Sequence, residues 1–389
     1  MFMSRLQRIP LDRAKLGMYV SDQTPGLLEC GLNAKGVISR ESTLEKLRAA
    51  NIAELYIDPD KGKSSPFAVP LPLSAAELKA RVPLEQEREN AEAIYKQARN
   101  LVGDMMKKAK LGKAIEMGPV EGLAEEINHS VLSNANALMC LSQIREKDAY
   151  LLEHSVNVGL LMSVFSRYLG YAEEERHQMV TGALLHDIGK IRVPNHVLNK
   201  PGKLSDEEWR EMREHVRYGE EVLMRSEGIT PIALAICSQH HEKLDGSGYP
   251  RGLSDKQIAV VSRMAAVVDI YDAITADRVY HEGKTPFDTL KIMQDMVGKH
   301  LDADLVYQFI TCMSIYPVGS LVELSNGRLA SVIQVNHDKP DSPLVRCFYN
   351  LRSRHYEAVK LVDLAKRQDL LVQAVVDPKN LQIDLRDFL

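Results

Sequence analysis

Five histidines and two aspartates recur through the middle of this 389-residue chain: His154, His186, Asp187, His215, His240, His241 and Asp269. Measured from His154 through His186, His215 and His240 to Asp269, the steps are 32, 29, 25 and 29 residues. Each step is the length of one helix plus its connection. Side chains spaced this way meet only when successive helices pack together, so a site made of them is assembled by folding, one helix at a time.

The sequence around them supplies the helices. Residues 126–315 read as nearly all helix. Ser205-x-x-Glu208 and Ser254-x-x-Gln257 are capping boxes, and Thr230-Pro231 and Thr285-Pro286 place an N-cap before a first-turn proline. Gly170, Gly189 and Gly298 are candidate C-terminal stops. Beyond Tyr316-Pro317 the period drops towards two. Residues 320–324 and 330–335 flank an Asn326-Gly327 turn signal, which predicts a hairpin in a β-rich tail over 316–389. Residues 1–70 alternate short apolar runs (15–20, 36–39, 53–58) with turns around one helix, Ser42 to Ala50, and close on a proline-rich extended stretch, Pro66 to Pro72. Residues 71–125 form a linker and connecting helix. Its stripe of Ile94, Ala98, Leu101, Met105 and Ala109 suits either packing on the next domain or a rod that pairs two copies as a homodimer or relays a signal. The expected fold class is mainly α, with a small α/β module in front and a short β-rich tail behind.

Composition narrows the chemistry. A net charge of −4 with both signs dispersed gives no reason to expect a DNA-coating surface. No window approaches the roughly 20 apolar residues of a membrane span, and no secretory leader is recognisable, so a cytoplasmic protein is expected. The five cysteines are scattered without C-x-x-C spacing, which leaves metal chemistry to nitrogen and oxygen donors.

On this reading His154 lies in the helical run 150–168, and His186-Asp187 end an apolar helix just before Gly189 terminates it. His215 sits inside the helix capped by Ser205, and His240-His241 end the helix begun at Pro231. Asp269 interrupts the apolar run 264–268. An ionised carboxylate there is costly without a cation. Five imidazoles and two carboxylates exceed the four to six ligands of one ion, so two divalent ions are expected with Asp187 bridging them. Iron or manganese, with zinc and nickel as alternatives, suit such donors. Ions of this kind lower the pKa of a coordinated water from about 15.7 towards roughly 7 and polarise phosphoryl oxygens, which is apparatus for hydrolysing a phosphate ester.

Leu184-Leu-His-Asp-Ile-Gly-Lys190 and His240-His-Glu-Lys-Leu-Asp-Gly-Ser-Gly-Tyr-Pro250 resemble the HD-GYP family, bacterial cyclic di-GMP phosphodiesterases of the HD metal-hydrolase superfamily. The likeness runs from about Asp148 through Asp277-Arg278. It implies an all-helical HD-type domain in which the seven residues are metal ligands, Lys190 and Arg278 hold substrate phosphate, and Gly248, Tyr249 and Pro250 shape the pocket. It also implies contacts with signalling proteins such as diguanylate cyclases. The implied reaction opens cyclic di-GMP to linear pGpG, with onward hydrolysis to GMP left open. Asp187 would orient the nucleophile, and Lys190, or a water it holds, is the candidate proton donor to the leaving oxygen. Tyr150 stands where some members carry a glutamate tied to a third metal, which favours two ions. His281 replaces a frequent Arg or Lys, which weakens one phosphate contact. Two alternatives are a cyclic di-GMP sensor or scaffold with little turnover, and an HD hydrolase of mononucleotides or alarmones. The N-terminal module is similar to a domain of unknown function often fused ahead of this family.

Overall fold

The structure is a computed structural model that describes residues 6–27, 35–63, 65, 67–144, 150–277, 282–381 and 383–389. Arg278 and His281, and the side chain of Tyr150, fall outside the described residues. The chain divides into two compact units, residues 1–74 with 167–172, and residues 75–166 with 173–389.

The first unit is a five-stranded antiparallel sheet with one helix. Its elements are β1 (Gln7–Pro10), β2 (Tyr19–Val20), β3 (Gly36–Val37), α1 (Glu41–Ala49), β4 (Glu54–Ile57) and β5 (Val69–Pro70), in the strand order β3-β2-β4-β1-β5. Alternation along β4 turns Leu55 and Ile57 inward onto Ile9, Val20, Leu44 and Leu47. The proline-rich stretch is more than a linker. Its Val69–Pro70 pairs with Arg8 and Gln7 at the sheet edge, where a proline without a donor is tolerated.

The second unit opens with α2 (Ala75–Leu78), α3 (Leu84–Lys110), α4 (Met117–Ser142), α5 (Tyr150–Tyr168) and α6 (Glu173–Leu185). It continues through α7 (Asn195–Leu198), α8 (Asp206–Arg213), α9 (His215–Met224), α10 (Pro231–Gln239), α11 (Val260–Thr275), α12 (Pro286–Gln294) and α13 (Ala303–Met313). The long α3 lies against α4, with Ile94, Ala98, Met105 and Ala109 buried. Polar contacts fix its rotation: Ser130 Oγ donates to Glu87 at 2.6 Å, and Tyr95 Oη to Asn157 on α5 at 3.1 Å. Apart from the half-buried Leu101, its apolar stripe is thus used within the unit. Among the described residues no helix is long and apolar enough to cross a membrane.

Several local expectations change in detail. Ser205 and Thr285 cap helices, accepting from Glu208 N and Asp288 N, but the Ser254 box closes only a 3₁₀ turn, Asp255–Gln257. The helix that Ser205 starts is interrupted at Glu214, so His215 opens α9 rather than sitting inside α8. Gly189 is not a helix stop. The helix ends at Leu185, and Gly189 lies in a 3₁₀ turn, Ile188–Arg192, where a Cβ would stand 2.0 Å from His215 O and 2.4 Å from Gly219 N. Glycine is required there for main chain to meet main chain.

The tail forms an antiparallel sheet of β6 (Leu321–Leu324), β7 (Arg328–Gln334), β8 (Leu344–Asn350), β9 (His355–Asp363) and β10 (Val372–Val376), ordered β10-β6-β7-β8-β9. The expected hairpin is β6–β7, with Leu321 opposite Ser331 and Gly327 at φ 77° in its turn. The sheet is tied to the helices by Val335 N donating to Asn136 Oδ1 (3.1 Å) and by Arg346 against Glu85 on α3 (2.9 Å).

Candidate metal centre

The metal-ligand candidates come from five stretches of the second unit. His154 projects from mid-α5, and His186 and Asp187 occupy the turn that ends α6. His215 opens α9, His240 and His241 follow α10, and Asp269 lies on α11. All but His241 are buried, and His241 is half-buried. Their donor atoms gather into two sets, Asp187 with His215, His240 and His241, and His154 with His186 and Asp269; within each set the atoms lie within 4.8 Å of one another.

Asp187 joins the sets. Its Oδ2 is 3.4 Å from His154 Nε2 and 3.3 Å from His186 Nε2, while Oδ1 is 3.4 Å from His215 Nε2 and 3.8 Å from His240 Nε2. On the far side, Asp269 Oδ1 is 3.1 Å from His154 Nε2. Main-chain carbonyls orient the rings. The Nδ1 atoms of His186, His215 and His240 stand 2.7, 2.7 and 2.9 Å from the oxygens of Ala183, Met212 and Cys237. A carbonyl only accepts, so Nδ1 carries the proton and Nε2 turns a bare lone pair inward.

Those inward atoms test whether a cation fits. His186 Nε2, His215 Nε2, His240 Nε2 and Asp187 Oδ1 are all buried without a hydrogen-bond partner. Four orphaned acceptors facing one another would be costly. Lone pairs on nitrogen and oxygen at this spacing are what a divalent cation requires, so the residues fit a metal.

Electrostatics agree. Burial pushes His215 down to about 4 and His240 down to about 3, so both rings are neutral near pH 7. Burial pushes the Asp187 carboxyl up, but the facing His186 ring and the Lys190 ammonium outweigh it and hold the group well below the usual range. Asp269 is likewise held low against its burial, chiefly by His154. Lys190 reaches back from the 3₁₀ turn to place Nζ 2.5 Å from Asp187 Oδ2. The centre is thus a negative, largely buried cluster with the Lys190 ammonium beside it.

Comparison with known proteins adds the family. A model described as an HD domain matches residues 139–305, a domain of unknown function (DUF3391) matches 6–120, and a KOW domain associated with HD domain matches 321–384. The cyclic di-GMP phosphodiesterase PA4108 of Pseudomonas aeruginosa is 35% identical over 371 residues, covering 93% of this chain and 89% of its own. The chain belongs to the HD-GYP family. Two further relatives align with only part of this HD-GYP chain. The cyclic di-GMP phosphodiesterase of Thermotoga maritima is 34% identical over 174 residues, 44% of this chain and 47% of its own. The 3′3′-cGAMP-specific phosphodiesterase 3 of Vibrio cholerae is 34% identical over 171 residues, 44% of this chain and 37% of its own.

The glycine-tyrosine-proline stretch of this HD-GYP chain packs directly on His241 and the two residues after it. A Cβ on Gly248 would stand 2.4 Å from Lys243 N and 2.5 Å from Glu242 Cα. Tyr249 N donates to His241 O at 3.2 Å, and the two rings lie 4.7 Å apart. Pro250 closes the turn half-buried.

Two residues that sequence reasoning did not single out support this HD-GYP site. The buried Glu242 accepts from Arg251 N and Leu253 N, each at 2.8 Å, and latches the end of the loop. The buried Asp272 accepts from His154 Nδ1 at 2.7 Å. The available signal for Asp272 was its place three residues after Asp269, on the same face of an apolar helix.

Proposed function

We propose that this chain is a metal-dependent phosphodiesterase that opens cyclic di-GMP to linear pGpG in bacterial second-messenger signalling. The observation that carries the reading is the convergence of the unpartnered lone pairs of His186, His215, His240 and Asp187. In this reading His154, His186 and Asp269 would hold one ion, His215, His240 and His241 would hold the other, and Asp187 would be shared between them. The two-sided geometry of Asp187 supports two ions. The all-nitrogen-and-oxygen donor set suits iron, manganese, zinc or nickel, and iron or manganese is the expectation that elemental analysis checks. When bound, such ions supply Lewis acidity to a phosphoryl oxygen and make an activated water available at neutral pH.

The chain's own groups do the rest. Lys190 sets an ammonium beside the cluster, where it neutralises a non-bridging phosphate oxygen and, directly or through a water, supplies the proton that the leaving 3′-oxygen needs. Arg278 is assigned a second phosphate contact on its motif position alone. Tyr249, tilted over His241, would wall the site on that side. The similarity of this chain to PA4108, 35% identical across nearly the full length of both, supports cyclic di-GMP as substrate. The relative named for 3′3′-cGAMP makes that compound the one to compare.

The test is anaerobic purification of the full chain, elemental analysis, and product identification by mass spectrometry with both cyclic dinucleotides. Two ions per chain and pGpG from cyclic di-GMP are expected. A metal-loaded chain that binds the dinucleotide without releasing product is a sensor, and the proposal is then wrong.

A further inference from the structure

The single tryptophan of the chain stands at the rim of this centre rather than in a core. Trp209 lies on α8, a helix with no buried residue, and is 41% exposed. One helical turn on, the Arg213 guanidinium sits 5.3 Å from the Trp209 ring and 5.2 Å from the Tyr249 ring. The indole and phenol rings are 6.3 Å apart, and Tyr249 leads on to His241 at 4.7 Å. Two ring-to-ring steps therefore join the metal-ligand candidates to an exposed aromatic face.

Arg213 differs from the arginines around it. Arg210 is paired with Glu207 (3.1 Å), Arg217 with Glu214 (3.5 Å) and Arg192 with Glu221 (2.8 Å). Among the described residues Arg213 has no carboxylate partner and rests on two aromatic rings instead. Those ring contacts hold the side chain without neutralising it, so its fork of N–H donors stays available to an acceptor. An open indole beside an unneutralised guanidinium offers a planar purine a stacking face and donors for the guanine O6 and N7 edge.

We infer that Trp209 and Arg213 form a nucleobase subsite, in which Trp209 stacks one guanine of the cyclic dinucleotide while its phosphate lies at the histidine-aspartate cluster. The inference rests on the phosphodiesterase reading and adds a residue basis for its substrate preference. Because the indole is unique, it also reports on its own occupancy.

The experiment has two arms on the full-length, metal-loaded chain. In the first, a non-hydrolysable phosphorothioate analogue of cyclic di-GMP is titrated against the intrinsic fluorescence of the wild type, and a saturable change in Trp209 emission is expected. In the second, kcat/KM is measured for cyclic di-GMP and for bis(p-nitrophenyl) phosphate, which carries no nucleobase. Trp209→Ala should lower the ratio of the two values roughly tenfold, mainly through KM for cyclic di-GMP, and Trp209→Phe should largely restore it. An unchanged ratio in Trp209→Ala, with bound analogue leaving the emission untouched, overturns the subsite. A wild type that hydrolyses neither compound refutes the phosphodiesterase reading instead; the fluorescence arm then decides the subsite by itself, a saturable change supporting it and a flat titration overturning it.

Discussion

His154 and Asp272 face each other from α5 and α11, with the imidazole Nδ1 donating to the carboxylate at 2.7 Å inside the protein. The bond fixes which nitrogen carries the proton and leaves Nε2 to face Asp187 and Asp269. Carboxylate partners of this kind raise the basicity of a metal-binding histidine and hold its ring in place. Asp272→Asn should therefore weaken metal binding about 10- to 100-fold, read by titrating the stripped protein with manganese and counting bound ions. Unaltered affinity would show that His154 is oriented by packing alone.

Asp187 and Lys190 are 2.5 Å apart and should fail differently. Asp187→Ala removes the oxygens shared between the two donor sets, so turnover and bound metal should be lost together. Lys190→Met should keep its metal and lose on the order of 100-fold in kcat, as expected when a proton donor or phosphate cation is removed. Elemental analysis beside single-turnover kinetics separates the cases, and metal loss in Lys190→Met would contradict its assignment.

Gly248 and Gly122 make a paired test of packing. A methyl on Gly248 meets main chain at 2.4 Å, whereas at Gly122, within α4, nothing lies within 4 Å. Gly248→Ala should cost about 1–3 kcal/mol and displace the loop that carries Tyr249. Gly122→Ala should gain roughly 0.5–1 kcal/mol from helix propensity. Denaturant unfolding of both variants checks the opposite signs.

Acid should destabilise the metal-free protein before its carboxylates protonate. An unfolded histidine titrates near about 6.5, whereas burial holds His215 at about 4 and His240 at about 3 in the folded chain. Between these values the unfolded state binds protons that the native cluster refuses, so stability falls as pH drops through that window. Asp187 and Asp269, held below their ordinary 3.8, add a second loss only below that value. Melting temperatures of chelator-treated protein should decline steadily from pH 7 to 4.5, and a rise on acidification would be the wrong sign.

Much of this architecture was legible because helix signals and ligand spacing coincide. The threonine caps and the apolar run around Asp269 located α10, α11 and α12, and the Asn326-Gly327 turn located the hairpin. The misreadings share one physical cause, since sequence marks local preference and not the neighbour a backbone must meet. Gly189 looked like a helix stop but serves the approach of His215 and Gly219. Strand β1 was missed because its four residues hold too little alternation to register before β4 supplies a partner. Asp272 and Glu242 were passed over because their value lies in the groups they orient, which only folding brings near.

The bare contact at Gly189 reaches further than local packing. With no side chain between the turn that bears Asp187 and the helix that begins at His215, their spacing is set by two peptide groups in direct touch. The gap between these two donors has no soft element to absorb a change. Any bulk introduced at that seam would push the two stretches of main chain apart and carry Asp187 away from His215 with them.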